Sequence, residues 1–586
     1  MTDTPASPPD RPGEGHQPAR ADAAPGFREV DTATETPIDL DNDRPLAELF
    51  KIAAPSVATM SSYTVMQFVD KLMVSRIGPE PVYVAAQSNG GILAWTMMTF
   101  CVGIAGVVSS FVSQNLGAGR PERGSAYAWT SMWIGLGYWM ALMMPAVFLV
   151  PRLFVWLHAD PNAPIVPGAP DLVTLETQYA QIVIAGGVFT LMAKGMHNYF
   201  FGLHRPGIVM LAVVGANLVN IFLTMVLVFG HEGLPLPALD EGADPGLRWQ
   251  IGGVAQAAAW IAGVLGIEAM GIRGAALGTV FANLMEWLIP TAVFLGPKMA
   301  RRYATRLPWR PSRVCLKDLF RVGWPAGLMF VNELICWSML MVWLVPTGGR
   351  ARAAAMGLGE DAVREAGIVA NTAGWITLQW MHLAFMPTVG ISIATQAMVG
   401  KAIGAGRHDI AAARTWLCVK IAVGYMGLCA LAFVLFRSEL TALFINEGTD
   451  PAVTEELIRL GGWLLIGAAV FQVFDALAII TSAALRGAGD TVWPGVLTVV
   501  LSWSLIVGVG YGLIVVAPGL GAIGPWIGAS LYISVLGVVL VWRFVGGRWK
   551  TLSLVRKDPE TDPEPVPEAE ILANPGPGPD PTSGMA

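Results

Sequence analysis

Three carboxylates in this chain stand where a carboxylate is costly. Asp70, Glu333 and Asp475 each fall inside a long run of apolar residues. Burial in a low-dielectric medium disfavours the charged form of an acid, and ionisable residues inside a bilayer mark ion or substrate pathways. Such an acid gains by taking up a proton or a hard cation. Glu333 lies 8 residues past Pro325, about 12 Å along a helix rising 1.5 Å per residue. Asp475 falls near the middle of its own run, so the two can meet at similar depth. They are the candidate ion-coupling pair and a candidate Na⁺ site, with Asp70 as the third candidate. Lys71 follows Asp70, but neighbours on a helix point about 100° apart. Lys71 therefore acts on it through its field or snorkels away from it. Glu286, Lys194 and Lys420 also lie inside apolar runs. For these three we take the structural reading, because long lysine chains snorkel and a span boundary slips easily by a turn.

Other chemistry finds little footing. No GxxxxGK[ST] loop, nucleophile elbow or HExxH occurs. We expect no catalytic residues and no enzyme activity. Cys101, Cys315, Cys336, Cys418 and Cys429 form no CxxC or Cys/His spacing, so we expect neither a disulfide framework nor a zinc site. The histidines are scattered, with His197 and His204 the one close pair. A membrane-embedded transferase would need a clustered constellation instead. No basic stripe with interleaved aromatics suggests nucleic acid. With no visible means of using ATP, an ion gradient is the natural energy source for any pumping.

The elements that must position these acids are membrane spans. The chain is 54% hydrophobic and 14% charged, against roughly 25% charged in soluble domains. Apolar runs of about 18 residues or more read as spans. We expect an all-α membrane protein with twelve of them: 49–75, 83–113, 124–150, 173–202, 207–230, 272–296, 318–345, 367–399, 410–436, 457–485, 491–516 and 522–545. The segment 251–267 is short for a span, and we read it as an interfacial or re-entrant helix inside an insertion. Pro55 and Pro325 open their spans, where a missing N–H costs little. Seven basic residues without an acid, from Lys298 to Lys317, separate the sixth and seventh spans. By the positive-inside rule that segment and both termini are cytoplasmic. We expect a disordered tail at 1–45, which lacks the apolar core of a signal peptide, a first lobe at 46–300, a basic linker at 301–317, a second lobe at 318–546 and a disordered tail at 547–586.

The two halves are repeats. Leu46 to Pro55 matches Leu316 to Pro325 without gaps at an offset of 270, and Gly117-Ala-Gly-Arg120 matches Gly404-Ala-Gly-Arg407 at 287. The extra length fits an insertion around 346–366. Six spans per half give both repeats the same topology, with pseudo-two-fold symmetry about the membrane normal and a cavity between them.

At this point the sequence resembles the multidrug and toxic compound extrusion (MATE) family across nearly all of 46–545. The resemblance rests on Gln67-Phe-Val-Asp70, Val112 to Arg123, Asn220-Ile-Phe-Leu, Gly323 to Glu333, Val399 to Arg407, Phe471 to Leu477 and Leu485 to Asp490. It implies two six-helix lobes and a secondary antiporter of the plasma (inner) membrane. Such a protein exports small cationic amphiphilic compounds in exchange for Na⁺ or H⁺. Glu333 and Asp475 resemble the acids of the NorM-like branch, on spans seven and ten. The family's proton-type first-lobe site pairs the span-one acid with an Asn-Ile-x-Leu-Asp run on span five. Asn220 is present here, but Thr224 takes the acid's place, and a hydroxyl holds no charge at neutral pH. The resemblance therefore points the coupling to the second lobe. It also implies that span one bends at Pro55, with Pro325 its counterpart. No cofactor beyond the coupling ion is expected. The expected partners are a small-molecule substrate and the bilayer, with the chain working as a monomer. The alternative is a flippase for a lipid-linked saccharide or cell-wall precursor, an anionic cargo that Lys194 and Lys420 would suit.

Overall fold

The computed structural model describes residues 44–78, 82–157, 171–234, 245–445 and 450–556. Every regular element among them is helical, as lipid requires of a chain that must satisfy its own backbone groups. The spanning helices are α1 (Pro45–Val74), α2 (Val82–Gly117), α3 (Glu122–Leu157), α4 (Leu172–Gly202), α5 (Pro206–Phe229) and α6 (Ile272–Leu295), then α7 (Arg313–Ala355), α8 (Glu360–Gly404), α9 (His408–Leu435), α10 (Pro451–Ala488), α11 (Val492–Val516) and α12 (Ile523–Val545). Eleven are long and apolar enough to cross a bilayer on those grounds alone. The twelfth is α1, whose 30 residues are long enough but carry Asp70, Lys71 and a run of hydroxyls. The helix Pro245–Leu265 adds no crossing. Ala258 and Ala262 pack on Met73 and Met225 at the ends of α1 and α5. The chain then returns to start α6 beside the end of α5, where the Met270 N–H donates to the Leu227 carbonyl at 3.0 Å.

Two buried cores mark the two lobes, α1–α6 and α7–α12, but their lead helices trade places. Leu49, Ile52 and Ala53 of α1 belong to the core of the second lobe. Cys315, Leu319 and Ala326 of α7 belong to the core of the first. Further along, each helix rejoins its own lobe, Tyr63 in the first and Cys336 in the second. This corrects the reading of Pro55 and Pro325 as span openers. Both lie inside their helices, and Pro45 opens α1 instead. An internal proline removes one i→i−4 hydrogen bond, and here it does so where each helix passes between lobes.

The 346–366 insertion extends α7 to Ala355 and starts α8 at Glu360. Two further expectations change. The basic linker is shorter than 301–317, since a helix runs to Tyr303 and α7 begins at Arg313. The expected tail from 547 begins ordered. Trp549 is 1% exposed and stacks on Phe544 at 4.9 Å, and the Leu554 N–H donates to Gln114 Oε1 of α2 at 2.7 Å. Trp549 and Leu554, which come before the run of prolines and acids, give that stretch something to bury. Residues 1–43 and 557–586, where the remaining tails were expected, lie outside the described residues.

Candidate functional site

The lobes meet at the end that carries the basic residues. Ser110 Oγ donates to the Arg486 carbonyl at 2.8 Å, and Gln114 Nε2 to the Gly487 carbonyl at 2.8 Å. Gln396 Nε2 reaches back to Ser109 Oγ at 2.7 Å. The two Gly-Ala-Gly-Arg repeats pack on each other here. A methyl on Gly117 would collide with the Lys401 carbonyl, and one on Gly404 with the Gln114 carbonyl. Deeper in, a methyl on Gly103 of α2 would stand 2.6 Å from the Gly327 nitrogen of α7. Such small residues let membrane helices approach backbone to backbone.

Just past those crossings sit the polar groups. In the second lobe Tyr532 of α12 contacts Glu333 Oε1 of α7 at 3.5 Å. Asp475 of α10 lies within electrostatic reach of Glu333. Both predicted acids are half-buried. Arg486, whose carbonyl is part of the inter-lobe seam, also acts on Glu333 and is anchored by Ser482 Oγ at 2.9 Å. Next to Glu333, Asn332 donates to Ser502 Oγ and accepts from Trp503 Nε1, each at 2.8 Å. Ser502 and Trp503 open a π-helical stretch of α11, Ser502–Val509, a wide turn of the kind that often marks functional sites.

In the first lobe Tyr63 Oη of α1 donates to Glu286 Oε2 of α6 at 2.7 Å. Lys194 Nζ of α4 donates to Tyr63 Oη at 2.8 Å and lies 4.0 Å from Glu286 Oε2. His197 Nε2 lies 3.3 Å from the Glu286 carbonyl. Lys194 and Glu286, read as structural from sequence, are thus an ion pair. Lys420 is exposed on α9.

Asp70 stands apart from both clusters. It acts electrostatically on Tyr179 of α4, whereas Lys71 acts on His382 of α8, so the two neighbours do face different ways. The proposed first-lobe partners do not join Asp70. Thr224 Oγ1 donates to Asn220 Oδ1 at 2.9 Å within α5. A further acid, Glu176 near the start of α4, is fully buried and accepts from Asn89 Nδ2 at 2.6 Å.

Sequence reasoning missed Tyr63, Tyr532 and Asn332, and met Arg486 only inside the Leu485 to Asp490 motif. For Tyr63 a signal was available. The 270-residue offset that pairs Pro55 with Pro325 also pairs Tyr63 with Glu333.

Comparison with known proteins agrees with this architecture. The MatE family model matches residues 55–226 and 362–511. The chain is 28% identical over 502 residues to the Probable multidrug resistance protein NorM of Deinococcus radiodurans, covering 85% of this chain and 95% of the relative. It is 24% identical over 499 residues to the Agrobacterium fabrum protein of the same name, covering 84% and 92%. Among solved structures, a MOP superfamily transporter from Pyrococcus furiosus superposes with a TM-score of 0.68 at 22% identity, covering 88% of this chain and 99% of that one.

Proposed function

The chain belongs to the MatE family of membrane transporters, and we propose that it is a secondary antiporter that exports small cationic amphiphilic compounds in exchange for Na⁺ or H⁺. The coupling ion binds in the second lobe, at Glu333 and Asp475. One observation carries this reading. Two acids, on α7 and α10, lie within electrostatic reach of each other, with a single cation, Arg486, acting on Glu333. One arginine balances one of two carboxylates and leaves the other to recruit a proton or Na⁺. In the first lobe the corresponding acid already has its lysine.

The cargo reading draws on the names of the relatives, which are multidrug resistance proteins. With the basic end and both termini cytoplasmic in the plasma membrane, the seam at Ser110, Gln114 and Gln396 closes the cytoplasmic side. The chain works as a monomer in this reading. A flippase for anionic lipid-linked cargo would want free cations along its path. Lys194 is engaged by Glu286, which supports the cation exporter instead.

The test is efflux of a fluorescent organic cation from proteoliposomes, under an imposed Na⁺ gradient and then an imposed pH gradient. Transport is expected under one of the two without nucleotide. A requirement for ATP in that system refutes the reading. The topology is checked with Arg310→Cys, at an exposed residue of the basic linker. It should resist impermeant thiol reagents in sealed cells.

A further inference from the structure

The two lobes carry their polar clusters on equivalent helices. Glu333 and Tyr63 stand at the same place in the repeat, 8 residues past Pro325 and Pro55. Each lies near polar side chains on the fourth and the sixth helix of its own lobe. In the second lobe the partners are Asp475 of α10 and Tyr532 of α12. In the first they are Lys194 of α4 and Glu286 of α6. The acid and the tyrosine have changed places between the first and sixth helices. The fourth helix brings an acid in one lobe and an ammonium in the other. Lys194 Nζ sits 2.8 Å from the Tyr63 hydroxyl, 4.4 Å from its ring centre and 4.0 Å from the carboxylate, with 19% of its side chain exposed.

We propose that Lys194 is the first lobe's resident cation. Its ammonium fills, between Glu286 and Tyr63, the place that the coupling ion fills beside Glu333 and Asp475. This rests on the second-lobe coupling site proposed above. The consequence is mechanical. Past its proline, α1 is pinned to α4 and α6 by a charge that never leaves, so its position is independent of the gradient. The same stretch of α7 is pinned only when an ion is present. Of the two helices that cross between lobes at a proline, α7 is the one that answers to the ion. Lys194 is accordingly a positioning residue. The titratable groups around the first-lobe cluster are Tyr63, Lys194, His197 and Glu286. Around the second they are Glu333, Asp475, Arg486, Tyr532 and Cys336.

Amide hydrogen exchange of the whole purified protein tests this on two segments, α1 from Ser56 to Val74 and α7 from Ala326 to Leu344, with and without Na⁺ and at low and neutral pH. In the unaltered chain the α7 segment should gain protection of about threefold or more on ion binding, and the α1 segment should not change. Lys194→Met should make the α1 segment ion-responsive, because Glu286 then lacks a counter-charge. Lys194→Arg should leave it unresponsive. Lys194→Met/Glu286→Gln removes both charges, spares the fold a lone buried acid, and should also be unresponsive. An α1 segment that responds in the unaltered chain, or stays unresponsive in folded Lys194→Met, overturns the resident cation whatever α7 does. An unresponsive α7 with a newly responsive α1 in Lys194→Met keeps the resident cation and discards the second-lobe coupling site.

Discussion

The first lobe keeps Glu286 satisfied with its own lysine, and the second lobe leaves two acids, Glu333 and Asp475, with one arginine. Both clusters hang on the same three helices of the repeat, so the backbone does not distinguish them. The difference lies in which side chain each helix contributes. Glu286 pairs with Lys194 at 4.0 Å and accepts from Tyr63 at 2.7 Å. Glu333 has a long 3.5 Å contact with Tyr532, and it acts electrostatically on Asp475. A duplicated fold thus carries two polar clusters on equivalent helices, one of them closed by a covalently attached charge.

The sharpest way to break this comparison is to neutralise the acids one at a time. Glu333→Gln and Asp475→Asn should each reduce gradient-driven export to background while the protein still inserts. Asp70→Asn should weaken export only a few-fold, because Asp70 lies outside both clusters. Efflux assays at matched expression decide it. An inactive Asp70→Asn beside two active second-lobe variants would reverse the assignment of lobes.

Next in size is the first-lobe pair. Lys194→Met leaves Glu286 buried at 4% exposure with no counter-charge. Breaking a buried pair from one side costs about 3 kcal/mol. Thermal unfolding in detergent should show that loss, and Lys194→Met/Glu286→Gln should recover most of it. Equal destabilisation of the double variant would mean that lysine packing, not charge, holds the site.

Much of this arrangement was legible in the sequence. Hydropathy and the repeat gave twelve spans in two lobes, because lipid imposes a length and a composition on every crossing. Glu333 and Asp475 were legible because an acid in an apolar run has few uninteresting explanations. Tyr63 and Tyr532 were not, since a tyrosine in a membrane helix is ordinary until its partner is known. The pairing of Lys194 with Glu286, 92 positions apart, depends on helix rotation, which apolar periodicity hardly constrains in a helix buried on most sides. The exchange of α1 and α7 between cores was hidden for the same reason. Alternating lobes and a proline read alike whether a helix begins there or crosses there.

The smallest expected effect compares the acids that lead α1 and α7. Glu48 and Asp318 are separated by the same 270-residue offset, and each reaches into the opposite lobe. Glu48 accepts from Arg414 Nε of α9 at 3.0 Å, with side chains 20% and 11% exposed. Asp318 accepts from Tyr127 Oη of α3 at 3.1 Å and from Arg556 Nη2 at 2.8 Å, but Arg556 is 53% exposed. Geometry alone would rank the second pair as the stronger. Solvent reverses the ranking, because exposed pairs are screened and hold long side chains at an entropic cost. Arg414→Ala should destabilise by about 2 kcal/mol, as expected for a hydrogen bond to a charged group largely out of water. Arg556→Ala should cost less than about 0.5 kcal/mol, since Tyr127 still serves Asp318. Thermal unfolding of the two variants, repeated in high salt, checks both the order and its cause. Salt should erase the small Arg556 effect and leave most of the Arg414 effect, and the reverse order would place the firmer anchor between the lobes at α7.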